Sequence, residues 1–192
     1  MALKKPDSDL GFTMIELTMV GITITILIAI ALPNFLEAQI RAKVTASETD
    51  LALLGASLEE YYIEYLSYPP NVADSNGEGG LVGDNNPNLR GAALVVLTTP
   101  VSYLSVLPVD DFITEKYERN TYDYVDFTGW TGSAISRSAV VEGEQGVAAY
   151  VLVGIGPNLE YEFTASKPPS SGIDYSPTNG TRSVGDLMLF GP

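Results

Sequence analysis

Residues 11–32 read GFTMIELTMVGITITILIAIAL. The stretch is long, apolar and close to the N-terminus, and it carries a single charge, Glu16. Phe12 to Leu32, wound as a helix at about 1.5 Å per residue, spans roughly 31 Å, the thickness of a bilayer's hydrocarbon core. These residues therefore predict a membrane-crossing helix. A carboxylate inside such a helix is costly, about 2.5–3.5 kcal/mol on insertion scales, and marks a functional group with a partner. The chain cannot supply that partner nearby, because no Lys or Arg occurs between Lys5 and Arg41.

Beyond the apolar run, residues 34–66 keep a helical period. Ile40, Val44, Leu51, Leu54, Leu58, Tyr61 and Tyr65 fall at gaps of three, four and seven. Acidic and basic residues fill the other faces, so this half predicts an amphipathic helix that buries one stripe. Ser67-Tyr68-Pro69-Pro70 ends it, since a proline disfavours helix in the residue before it. Pro33 lacks an amide proton and Gly21 has weak helical propensity, so both are expected to interrupt the rod. Before the run lies a short polar leader with Lys4 and Lys5, which the positive-inside rule retains in the cytoplasm. Asp7 and Asp9 offset them.

GFTMIEL resembles the processing motif of type IV pilins and type II secretion pseudopilins. The resemblance covers about the first third of the chain and is closest to a major pseudopilin. It implies that a membrane prepilin peptidase cuts between Gly11 and Phe12 and methylates the new amine of Phe12. Glu16 then becomes the fifth residue of the mature chain, and Pro33 takes the place of the family's helix-interrupting proline. The resemblance further implies that Glu16 pairs with the Phe12 amine of a neighbouring copy as subunits polymerise. The stretch between Gly21 and Pro33 is then expected to loosen when the rod packs into a fibre.

A competing reading exists for the same residues. Residues 22–31, ending Ala29-Ile30-Ala31, fit the apolar core and A-x-A site of a secretory signal, which would release a soluble chain beginning at Leu32. The early carboxylate and the helical pattern continuing past Ala31 weigh against it.

Composition narrows the function. The chain has 192 residues, enough for an anchor and one ordinary domain. It holds 24 acidic residues against 10 basic ones, for a net charge of −14, which excludes the basic face a nucleic-acid binder needs. It has no Cys and no His, which removes disulfides, thiol and imidazole catalysis and the usual zinc sites. Many type IV pilins close a C-terminal loop with a disulfide, so the absence of Cys favours a pseudopilin.

Residues 68–192 are expected to form an α+β head: a small antiparallel sheet of three to five strands laid across the second half of the long helix. The expected segments are leader 1–11, membrane half 12–33, amphipathic half 34–67 and head 68–192. Within the head, residues 71–87 read as a Gly/Asn/Asp loop whose acids Asp74, Glu78 and Asp84 do not follow calcium-loop spacing. Residues 88–98 predict a short helix, and residues 101–107 a second short apolar piece. Strands are expected at 121–127 (TYDYVDF), 147–153 (VAAYVLV) and 187–190, with 159–163 a candidate to pair back across the turn at 154–157. Residues 167–172 are a Pro/Ser loop, and Asn179-Gly180-Thr181 is a turn.

Major pseudopilins bind calcium in a loop that ends near a final Asp. That resemblance makes Asn158, Asp174, Ser183 and Asp186 the candidate ligands, and calcium the one candidate cofactor. Three functions are open to such a chain. The leading one is a structural subunit that polymerises with itself, is trimmed by prepilin peptidase and works with secretion or pilus assembly machinery. It is held in the inner membrane with its head outside, and later in a fibre in the periplasm or at the cell surface. The second is a single-pass membrane-anchored extracytoplasmic binding module. The third, an enzyme using Asp110 and Asp111, is disfavoured because adjacent acids point apart and no G-x-S-x-G elbow appears.

Overall fold

The computed structural model describes residues 11–70, 92–113, 121–126, 148–163 and 172–192. Leader residues 1–10, the loop at 71–87 and residues 88–91, 127, 147 and 167–171 of the expected elements lie outside them. The chain divides into two compact units, Met1–Gln39 and Ile40–Pro192. One helix, α1 (Met14–Tyr65, 52 residues), supplies residues to both.

Within the second unit α1 buries Val44, Ser47, Leu51, Leu54, Gly55, Ser57 and Leu58, the stripe expected from the sequence with small residues between the large ones. Ile40 and Tyr61 are partly buried against the same core, whereas Tyr65 stays exposed and stacks on Tyr61 with ring centroids 4.4 Å apart. The helix stops at Tyr65, ahead of the prolines, because Leu66 turns left-handed at φ 54° while its amide still donates to the Tyr62 carbonyl.

Among the described residues the sheet has three antiparallel strands in the order β1 (Asp123–Asp126), β2 (Tyr150–Gly154) and β3 (Leu187–Phe190). Its register places Tyr124, Leu152 and Leu189 in one row and Val125, Val151 and Phe190 in the next. Successive residues of a strand face opposite ways, so the two rows feed two cores. Tyr122, Tyr124, Tyr150, Leu152 and Leu187 join the α1 stripe, Leu94, Leu97, Leu104 and Phe112 in the main core. Val125, Val151 and Val153 form a smaller core with Phe163 on the other face. The fold is α+β, a long N-terminal helix packed on a small antiparallel sheet, as the sequence predicts.

Gly55 lets helix and sheet approach closely: a Cβ there would sit 2.9 Å from Leu189 Cδ2. A tighter approach occurs where the chain leaves β2 and enters β3. A Cβ on Gly156 would lie 1.8 Å from the Gly185 carbonyl oxygen, and Gly185 itself has φ 130°. At both positions only glycine fits.

Two expectations are corrected. Residues 159–163 form no strand. Leu159 is left-handed at φ 64°, and the Glu162 and Phe163 amides donate to the Asp186 side chain, each at 2.8 Å, instead of to a strand partner. The helix expected at 88–98 is, in its described part, a 3-10 turn at Ala92–Leu97, cut short by Thr98-Thr99-Pro100.

Candidate functional site

The first unit presents the N-terminal site. Gly11, Phe12 and Thr13 are non-helical, α1 starts at Met14, and Phe12 is 87% exposed. Thr13 caps the helix. Its hydroxyl accepts the Glu16 amide at 3.3 Å, and Glu16 Oε2 accepts the Thr13 amide at 2.8 Å and the Thr13 hydroxyl at 2.6 Å. This is a reciprocal capping box, which satisfies backbone donors that a helix start otherwise leaves open. Sequence reasoning singled out Glu16 but missed Thr13, although the T-x-x-E spacing was visible.

From Met14 to Leu36 every side chain is exposed. Its best 18-residue window has mean hydropathy 2.3, so α1 is long and apolar enough to cross a membrane, by the test a signal sequence also passes. The three threonines within it are internally satisfied: Thr18, Thr23 and Thr25 donate to the carbonyls of Met14, Met19 and Gly21 at 2.8–2.9 Å. Polar hydroxyls thus require nothing from lipid. The helix runs unbroken through Gly21 and Pro33. A single proline removes one hydrogen bond, and the turns on either side hold.

The second unit holds the C-terminal site, at the end of β2 and the start of β3. Asp186 is completely buried. Its backbone forms a parallel bridge with Asp174, donating to the Ile173 carbonyl at 2.7 Å and accepting the Tyr175 amide at 2.9 Å. Its Oδ2 takes the Glu162 and Phe163 amides, while its Oδ1 is buried with no hydrogen-bond partner. Burial pushes the Asp186 carboxyl up to about 7, and the Glu162 carboxylate pushes the same way, against the amides of Glu162, Phe163 and Gly156. Glu162 has its own buried, unpartnered oxygen, Oε2, and its Oε1 accepts from the Asn158 amide.

Of the four residues expected to bind metal, Asn158 and Asp186 are drawn together through Glu162. Asp174 adjoins Asp186 through backbone, with its side chain exposed, and the Ser183 hydroxyl donates to the Ser176 carbonyl at 3.0 Å. Glu162 was missed, because it sat in a predicted strand. Among the described residues no three His, Cys, Asp or Glu side chains converge as a metal site. Two buried carboxylate oxygens, Asp186 Oδ1 and Glu162 Oε2, lack hydrogen-bond partners, and oxygens of that kind are what a hard cation takes as ligands.

The adjacent acids Asp110 and Asp111 part company. Asp110 is buried and accepts the amides of Phe112 at 2.9 Å and Ile155 at 2.8 Å. Asp111 is exposed, and its carbonyl accepts the Lys43 ammonium at 3.2 Å. They form no catalytic pair.

No family model matches this chain, and no solved structure matches it. It is similar to the type II secretion system core protein G of Pseudomonas aeruginosa, with 34% identity over 59 residues, 31% of this chain and 42% of that protein. The match spans less than half the length of this relative, and the similarity lends weak support to the pilin and pseudopilin resemblance.

Proposed function

We propose that this chain is a structural subunit of a type II secretion pseudopilus or a related type IV pilus-like fibre. It is stored in the inner membrane by the first part of α1 with its head outside, and trimmed by prepilin peptidase between Gly11 and Phe12. The amine of Phe12 is then methylated, and the chain polymerises with copies of itself through that helix. The observation that carries this reading is the apolar helix half with one acid, Glu16, at its start, followed by a buried stripe under a sheet. Similarity to a secretion core protein supports it. In the fibre, Glu16 exchanges its Thr13 partners for the amine of a neighbouring Phe12, and the segment between Gly21 and Pro33 loosens.

Mass spectrometry of the protein from membranes tests the reading. A species beginning at Phe12 and heavier by one methyl group is expected. Intact precursor alone would replace the fibre with a membrane-anchored binding module, and a soluble species beginning at Leu32 would replace it with a secreted protein.

We further propose that the head takes calcium around Asp186. Asp186 and Glu162 would supply the anionic oxygens and Asn158 a neutral one, with Asp174 and Ser183 on the adjoining turn. Bound there, the cation supplies charge neutralisation and cross-links the segments around residues 158–162 and 186.

A further inference from the structure

We propose that Thr13 is a positioning residue for the processing cut: by capping α1 it keeps the Gly11–Phe12 bond out of the helix. This rests on the reading that the bond is cleaved. Proteolysis needs an extended backbone, and a peptide bond within a helical turn is cut only when that turn opens. Here the helix begins at Met14, two residues past the scissile bond, and the boundary is set by side-chain chemistry. The Thr13 hydroxyl takes the Glu16 amide, and the Glu16 carboxylate takes the Thr13 amide in return. With both donors satisfied, the drive to wind another turn across Gly11 and Phe12 is weakened. In apolar surroundings an unsatisfied amide costs several kcal/mol, so a helix start that loses its cap moves until its donors find acceptors. The cut itself is ordinary hydrolysis: water adds across the bond, leaving a carboxylate on Gly11 and the amine on Phe12.

Two halves of the box carry different duties. Without the Glu16 side chain, the Thr13 hydroxyl still caps the Glu16 amide, so the helix start survives. Without the Thr13 hydroxyl, that amide loses its acceptor. Thr13 therefore governs the cut, and Glu16 remains available for docking.

The experiment uses the full-length chain in membranes containing a prepilin peptidase, with the initial cleavage rate followed for Thr13→Ser, Thr13→Val and Thr13→Ala. The hydroxyl-bearing Thr13→Ser is expected to cleave at the wild-type rate. The isosteric Thr13→Val and the small Thr13→Ala should slow about two- to thirty-fold, the span expected for a lost cap. Amide exchange at Glu16 in detergent should quicken in the same two variants. Val cleaving like wild type while Ser slows would mean that the peptidase reads the shape of the side chain, and would overturn the proposal. So would equal rates in all variants. If the wild-type chain is itself uncut at Gly11–Phe12, the fibre reading fails instead.

Discussion

Asp110 Oδ2 accepts the backbone amide of Ile155 at 2.8 Å, across 45 positions of sequence. With the Phe112 amide on its other oxygen, this carboxylate ties the loop before β1 to the outlet of β2. Asp110→Ala strands two buried donors and should destabilise the head by about 2–4 kcal/mol. Asp111→Ala, on the exposed neighbour, should stay within about 0.5 kcal/mol. Thermal melts of the two variants, in detergent, provide the comparison.

The glycines divide by what faces them. Gly156→Ala drives a methyl into the Gly185 carbonyl, a backbone group that cannot swing away, and should cost about 3 kcal/mol or more. Gly55→Ala crowds only the mobile end of Leu189, meets the Tyr150 hydroxyl at an ordinary 3.5 Å contact, and gains up to about 1 kcal/mol of helix propensity, so its net effect should be small. Equal losses in the two melts would contradict the close approach described at Gly156.

Buried tyrosines make the head sensitive to alkali. Burial, first of all, raises the phenols of Tyr124, Tyr150 and Tyr68 above their ordinary range, with Glu59 accepting from the last two. A phenol that holds its proton more tightly folded than unfolded gives stability that is complete below pH about 10 and declines as pH rises further. Phenolate absorbance should therefore rise in two phases, exposed tyrosines first and the buried set together with loss of circular dichroism. A single early phase would mean that the tyrosines are wet.

Calcium bound around Asp186 should raise the melting point of the full chain. At a hundredfold excess over Kd the gain is about 2.7 kcal/mol. Asp186→Ala should abolish the gain, and Glu162→Gln should weaken it. Identical melts with calcium and with a chelator would remove the metal from the account.

Glu16→Ala should still be cut at Gly11–Phe12 yet assemble poorly, because the docking carboxylate is gone. Counting sheared or pelleted fibres against processed subunit separates the two steps, and abundant fibres from this variant would refute the pairing with Phe12.

Much of this architecture is legible in the chain. The stripe at Val44, Leu51, Leu54 and Leu58 repeats at helical spacing and is buried, and the strand at Leu187–Phe190 lies where it was expected. Long periodic segments announce themselves because many residues repeat one signal. Residues 159–163 misled for the opposite reason: five residues of strand-like composition were overruled by one distant carboxylate, Asp186, which claimed the amides of Glu162 and Phe163. Glu162 was hidden for the same cause, since its role depends on a contact 24 positions away. Thr13 was readable locally and was overlooked beside the more conspicuous acid.

At Gly156 and Gly185 two passes of the chain ride against each other with bare backbone between them. Such a seam has no slack, because no side chain can rotate to absorb a shift. A shift of the neighbouring Asp186 would therefore meet main chain at the outlet of β2, where nothing soft can yield.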